Sequence, residues 1–143
     1  MIANNNIQAA IIAKLKANTA LTDWLTARSA GSEIRETSWQ GAAFTYPAVR
    51  ASVGTQQPGP DTSHCYLTTG EVPFTVLCFS ESDSSQQADV LAGLVNAALI
   101  GQRLSGTGFR SLAIQSDGLT HAVRTGERVW RAVGLFRMQI YET

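Results

Sequence analysis

Residues 72–101 constrain the fold more than any other stretch. They open with Val-Pro-Phe-Thr-Val-Leu-Cys-Phe-Ser, pass through Glu-Ser-Asp-Ser-Ser-Gln-Gln, and close with Ala-Asp-Val-Leu-Ala-Gly-Leu-Val-Asn-Ala-Ala-Leu-Ile-Gly. Residues 74–79 are apolar, aromatic or β-branched, with apolar side chains on both faces, which predicts a central strand. Pro73 has no N–H to give a ladder, so it belongs at the strand's beginning. Asp83 or Ser84 can cap a helix, and Ser84 with Gln87 has capping-box spacing. Leu91, Leu94, Val95, Ala98 and Leu99 then recur at three and four residues and form one apolar stripe. Gly101 is placed to stop the helix. The stretch predicts a strand feeding a helix that packs back across the same sheet.

A chain of 143 residues is long enough to bury a real core, and nothing in it suggests a linker or repeat; it reads as a single domain, 1–143. Its 11 basic residues balance 11 acidic ones. Zero net charge argues against a nucleic-acid binder that relies on bulk charge, and leaves little self-repulsion to oppose self-association. No basic segment with an apolar core opens the chain, so no signal peptide is expected. No apolar run approaches the ~20 residues of a membrane span. Cys78 reads as a small core residue of the central strand, and Cys65 falls on the strand before it. A disulfide across that hairpin is geometrically possible; a reduced pair in a cytoplasmic protein is the default, because nothing marks secretion.

Taken in order, residues 1–27 predict helix. Asn4, Asn5 and Asn6 offer an N-cap, and Ile7, Ile11 and Leu15 share a face. The pattern breaks at Asn18-Thr19, after which Leu21, Trp24 and Leu25 anchor a short second turn, with Trp24 as a core plug. Residues 28–47 form a connection with at most one short strand, 33–38. Trp39, Phe44 and Tyr46 cluster here, as a contact surface or as cover for a core edge. Residues 47–53 predict a strand with Val49, Ala51 and Val53 on one face and Arg50 and Ser52 on the other. Residues 54–63, with two prolines, two glycines and no apolar side chain, predict an exposed loop. A strand resumes at 65–70 with a possible bulge at Gly70, so that 47–53 and 64–80 make a long hairpin. After the helix, 102–108 is a turn and 109–117 a strand with Leu112 and Ile114 on one side. Asp117-Gly118 signals a turn, and 119–127 is irregular or a strand edge. The last strand, 129–141, puts Trp130, Ala132, Gly134, Phe136, Met138 and Ile140 on one face; its length suggests it overruns the sheet or pairs with a neighbouring chain. Helix, strands, helix, strands predicts an α+β fold: a mostly antiparallel β-sheet with two helices packed on one face.

No catalytic constellation emerges. His64 beside Cys65 lacks the further ligands a zinc site needs, and His121 reads as a surface residue near a turn. No Gly-x-Ser-x-Gly elbow is present, and Gly106-Thr107-Gly108 lacks the residues that follow in a phosphate loop. Glu81, Asp83 and Asp89 suit a helix N-terminus without invoking a cation. Arg103, Arg110, Arg124, Arg128, Arg131 and Arg137 crowd the last third, as a patch for an acidic partner or, more commonly, a solvated sheet face.

The order of these elements, with Ile7, Ile11, Leu15 and Leu21 in the first helix, Tyr46-Pro47-Ala48-Val49 opening a strand, and Cys78-Phe79-Ser80 directly before the 84–99 helix, resembles the tail-completion or tail-terminator family of tailed bacteriophages. The resemblance spans nearly the whole chain. It implies a structural, non-enzymatic protein without cofactor or metal, assembled as a ring, typically a hexamer. Such a ring caps the tail tube, stops its growth and joins it to the head connector. The implied partners are further copies of the chain, the tail-tube protein and the connector or neck proteins, with DNA passing through the lumen unread and no membrane involved. The implied location is the tail or neck of a virion, assembled in the host cytoplasm. Mapped onto this sequence, the 54–63 loop is the projecting element and the last strand a subunit contact. Candidate contact residues are Gln56, Gln57, Pro58 and Asp61 on the loop, Trp39, and Arg131, Arg137 and Tyr141 on the last strand. Two alternatives stay open: a head–tail connector or neck subunit, and a small enzyme or ligand-binding module built around Asp61, His64 and Cys65.

Overall fold

The computed structural model describes residues 2–28, 33–37, 45–58 and 69–143. Helices α1 (Asn4–Lys16) and α2 (Thr19–Thr26) come first. Strands β1 (Ile34–Glu36), β2 (Ala48–Val53), β3 (Gln57–Pro58) and β4 (Thr69–Glu81) follow, and then helix α3 (Gln86–Leu99). Strands β5 (Ser105–Gly106), β6 (Phe109–Ser111), β7 (Gln115–Leu119), β8 (Val123–Gly126) and β9 (Val129–Glu142) complete the chain. All the strands belong to one sheet, ordered β1-β2-β4-β9-β6-β5, with β3 beside β4 and both β7 and β8 beside β9. The β1–β2 pair is parallel and the other pairs are antiparallel. The fold is α+β, with a mixed, mostly antiparallel sheet.

The sheet is organised by β4 and β9, which pair residue for residue from Thr69↔Tyr141 to Glu81↔Val129. Alternation along a strand sends every second side chain to one face. Val72, Phe74, Val76 and Cys78 of β4 thus meet Ala132, Phe136, Met138 and Ile140 of β9 in the buried layer. Phe74 and Phe136 stack with ring centroids 5.2 Å apart. The helices cover this face with Ile7, Ile11 and Leu15 of α1, Leu21 and Leu25 of α2, and Leu91, Val95 and Leu99 of α3, all buried in one continuous core. Gly134 is small for a reason: a Cβ there would lie 2.7 Å from the Phe136 ring.

Several local expectations are corrected. The break at Asn18 produces a separate helix, which packs against α1 and α3, while α1 and α3 are the two helices that lie on the sheet as expected. Asn18 adopts an extended backbone and its Oδ1 accepts the Leu21 N–H at 2.9 Å, the geometry of an N-cap. The asparagines at 4–6 lie inside the first turn of α1, whose N-cap is Ala3. The capping box at Ser84 and Gln87 does not form: Ser85 is the N-cap, without a side-chain cap bond. Leu94 is only partly buried, and Ala88 and Ala92 complete the α3 stripe in its place. Gly101 follows α3 with φ of +75°, as a helix stop requires.

The strand expected over 109–117 is two strands. Between β6 and β7 the backbone leaves the ladder, and the Ile114 N–H donates instead to the Gln102 carbonyl at 2.9 Å. Leu112 is thereby exposed and Ile114 buried, so the two do not share a side. Gly118, with φ of +142°, sits at an irregularity within β7 rather than in a tight turn. No bulge interrupts β4 at Gly70, which pairs in register with Ile140 and Pro58. Within the 54–63 loop, Gln57 and Pro58 form a short edge strand on β4. Trp39, Phe44, Asp61, His64 and Cys65 lie outside the described residues.

Candidate assembly surfaces

One face of the sheet carries the helices; the other presents a graded surface. Register puts Ala48, Phe79, Arg131 and Val123 in one outer row, and Arg35, Arg50, Leu77 and Val133 in the next. At β2 this face is closed: Ala48 and Arg50 are both buried. At β4 and β9 it opens, leaving Leu77, Phe79, Val133 and Leu135 half-buried. Arg50 lies on the face opposite Val49 and Ala51, as expected, but it is not in solvent. Instead its Nη2 meets Glu33 Oε2 at 2.7 Å, while its Nη1 donates to the Glu33 carbonyl at 2.8 Å and the Val49 carbonyl at 3.0 Å. Glu33 is itself buried. Sequence reasoning missed this pair, although an arginine between Val49 and Ala51 in an apolar strand was a signal that a partner must exist.

The proposed contact residues divide between the two ends of β9. Tyr141 pairs with Thr69 and Arg110, at the end where β3 also docks. There Gln56 Nε2 donates to the Ile2 carbonyl at 2.5 Å and to Asn4 Oδ1 at 2.6 Å, which ties the start of the loop to α1. Gln57 and Pro58 are exposed. Arg131 lies ten residues along β9 from Tyr141, about 33 Å away at the rise of an extended strand, and its Nε has no hydrogen-bond partner among the described residues. Arg137 pairs with Asp117 at 3.1 Å. The last strand is not an edge: β4 runs along one side and β8, β7 and β6 along the other. A subunit contact through β9 therefore uses its outer face rather than backbone pairing with a neighbouring chain. The arginines of the last third are dispersed, with Arg128 on Asp83 at 3.2 Å and Arg124 Nε on the Gly126 carbonyl at 3.1 Å.

Asp89 and His121 have structural partners. Asp89, in the first turn of α3, accepts the Ala122 N–H at 2.8 Å and meets His121 Nδ1 at 3.0 Å, which pins the β7–β8 connection to the helix. Burial pushes the Cys78 thiol up to about 12, so it stays protonated at neutral pH and is a poor nucleophile. Among the described residues, no group of three or more His, Cys, Asp or Glu is placed to hold a metal ion. None of the described helices is long and apolar enough to cross a membrane.

No family model matches this sequence, and no curated protein matches it. Solved structures do. A chain from the structure titled "Virion of native gene transfer agent (GTA) particle" superimposes with a TM-score of 0.72 at 19% identity, over 96% of this chain and 96% of that one. A second solved chain reaches a TM-score of only 0.46 at 18% identity and carries no argument. The sequence described here thus shares its whole fold with a chain of that virion particle.

Proposed function

We propose that this chain is a structural virion protein that assembles as a ring at the head-proximal end of a phage-type tail. There it ends growth of the tail tube and provides the joint to the head connector. The observation that carries this reading is the likeness to a gene-transfer-agent virion chain over 96% of both chains. The order of elements that resembles tail terminators supports the position within the tail. The mechanism is geometric. A long β4–β9 ladder gives each subunit a rigid spine. Its half-buried outer face and its two flanks offer surfaces to neighbouring copies, to the tube and to the connector. DNA passes through the lumen, and no cofactor takes part.

The test is to add the purified protein to polymerising tail-tube protein and measure tube lengths by negative-stain electron microscopy. The reading expects shorter tubes with a distinct cap at one end. Unchanged lengths, with binding to portal or adaptor protein instead, would move the chain from the tube end to the neck.

A further inference from the structure

On the face of the sheet away from the helices, register sets side chains in rows across the strands. One row holds Glu71 of β4 and Gln139 of β9, with Gln57 of β3 beside Glu71. The next holds Pro73, Arg137 and Gln115 of β7. Between β6 and β7, residues 112–114 leave the ladder, and a cleft of about 110 Å³ opens there. Glu71, Gln115, Arg137 and Gln139 line it, together with Leu112 and Ala113.

Glu71 is half-buried, and among the described residues its carboxylate has no hydrogen-bond or ion-pair partner. A cation stands within reach. Arg137 is a diagonal neighbour across the β4–β9 ladder, a spacing of about 7–8 Å that a long side chain can span. Its Nε is instead held by Asp117 Oδ1 at 3.1 Å, on the β7 side. Arg110, the other cation at this end, is exposed one row further out, opposite Tyr141, and does not line the cleft. Asp117 thus neutralises Arg137, and no described residue neutralises Glu71.

These features select the class of occupant. Sites for cofactors and drug-sized molecules run to about 300–1,000 Å³, well above this cleft. One carboxylate is too few for a calcium ion, which takes about 6–8 oxygens. An anion would meet Glu71 and find Arg137 already engaged. A single ammonium or guanidinium group suits the lining. Glu71 would accept a charge-assisted hydrogen bond from it, and the side-chain carbonyls of Gln115 and Gln139 can accept further donors. Leu112, 43% exposed, and Ala113 offer apolar surface to the stem of the incoming side chain. We propose that this cleft is a socket for one lysine or arginine side chain of a partner protein. Such a site goes beyond the ring reading and does not depend on it.

The probe is N-acetylarginine amide, titrated into the isotope-labelled full chain and followed by proton–nitrogen NMR. Its neutral isostere, N-acetylcitrulline amide, is the control. The arginine compound is expected to give saturable shifts confined to residues 112–115 and 137–139 and to Glu71, with the citrulline compound about tenfold weaker or more. Glu71→Gln is expected to weaken the arginine compound by a similar factor. Asp117→Asn changes no lining residue but frees Arg137 to reach Glu71, and it is expected to weaken binding too. An unchanged thermal midpoint checks that each variant folds; Ala113→Trp, which fills the cleft, replaces either one that does not. Absent shifts, equal shifts from the two compounds, or binding that survives Glu71→Gln would overturn the socket and leave the ring reading standing. Loss of self-association in Glu71→Gln would make the occupant a second copy, and the proposal of a basic partner would fall.

Discussion

Arg50 and Glu33 show how one residue can depart from the pattern around it. An arginine at the centre of β2 is tolerable because Glu33 neutralises it and two carbonyls accept from its Nη1. Removing one partner leaves a buried charge, whereas removing both does not. Arg50→Met is expected to cost about 3–5 kcal/mol, and Glu33→Leu combined with Arg50→Met markedly less, as measured by urea unfolding of the single and double variants. Cys78 gives a second expectation at this scale. Its thiol pKa is raised from 9.0 to about 12 by desolvation. Between those values the unfolded chain gives up a proton that the folded chain keeps. The contribution is therefore complete below pH 9 and is lost as pH rises toward 12. Unfolding free energies of the native chain and Cys78→Ala, compared across that window, should show the native chain losing stability relative to the variant as pH rises.

At the scale of elements, α3 is the clearest case of sequence deciding structure, because a 3.6-residue stripe and a terminal glycine specify its face and its end. Gly93 lies on the exposed side of α3, away from that stripe, and a Cβ there would meet nothing within 4 Å. Gly93→Ala should stabilise the protein by up to about 1 kcal/mol through helix propensity alone, read as a higher denaturation midpoint with an unchanged slope. The long strands were legible for related reasons: residues 74–79 are apolar on both faces, as a central strand needs, and β9 alternates cleanly, so the residues that share its buried face could be listed one by one. The short elements were not. β3 is two residues held by pairing with Gly70 and Glu71, and a Gln-Pro pair in a Gly/Pro-rich loop carries no strand signal of its own. The division of 109–117 into β6 and β7 follows from a tertiary hydrogen bond between Ile114 and Gln102, which local pattern cannot reveal. The caps went astray where several serines or asparagines competed for one position. The exposure of Leu119 and Val123 was hidden because they fall in a stretch without periodicity, where an apolar residue gives no hint of which way it faces.

At the scale of the whole molecule, the sheet has a closed centre. The central strand β9 has neighbours on both sides, so strand addition to it is blocked. A net charge of zero opposes no neighbour, which accords with the proposed virion ring. In the proposed ring, the balance of charge would also suit a lumen that lets DNA pass without holding it. The ring is the central claim, and native mass spectrometry of the purified protein, alone and then mixed with tail-tube protein, tests it most directly. The account predicts a closed ring, a hexamer as the family resemblance implies, in at least one of the two samples. A monomer in both would contradict it.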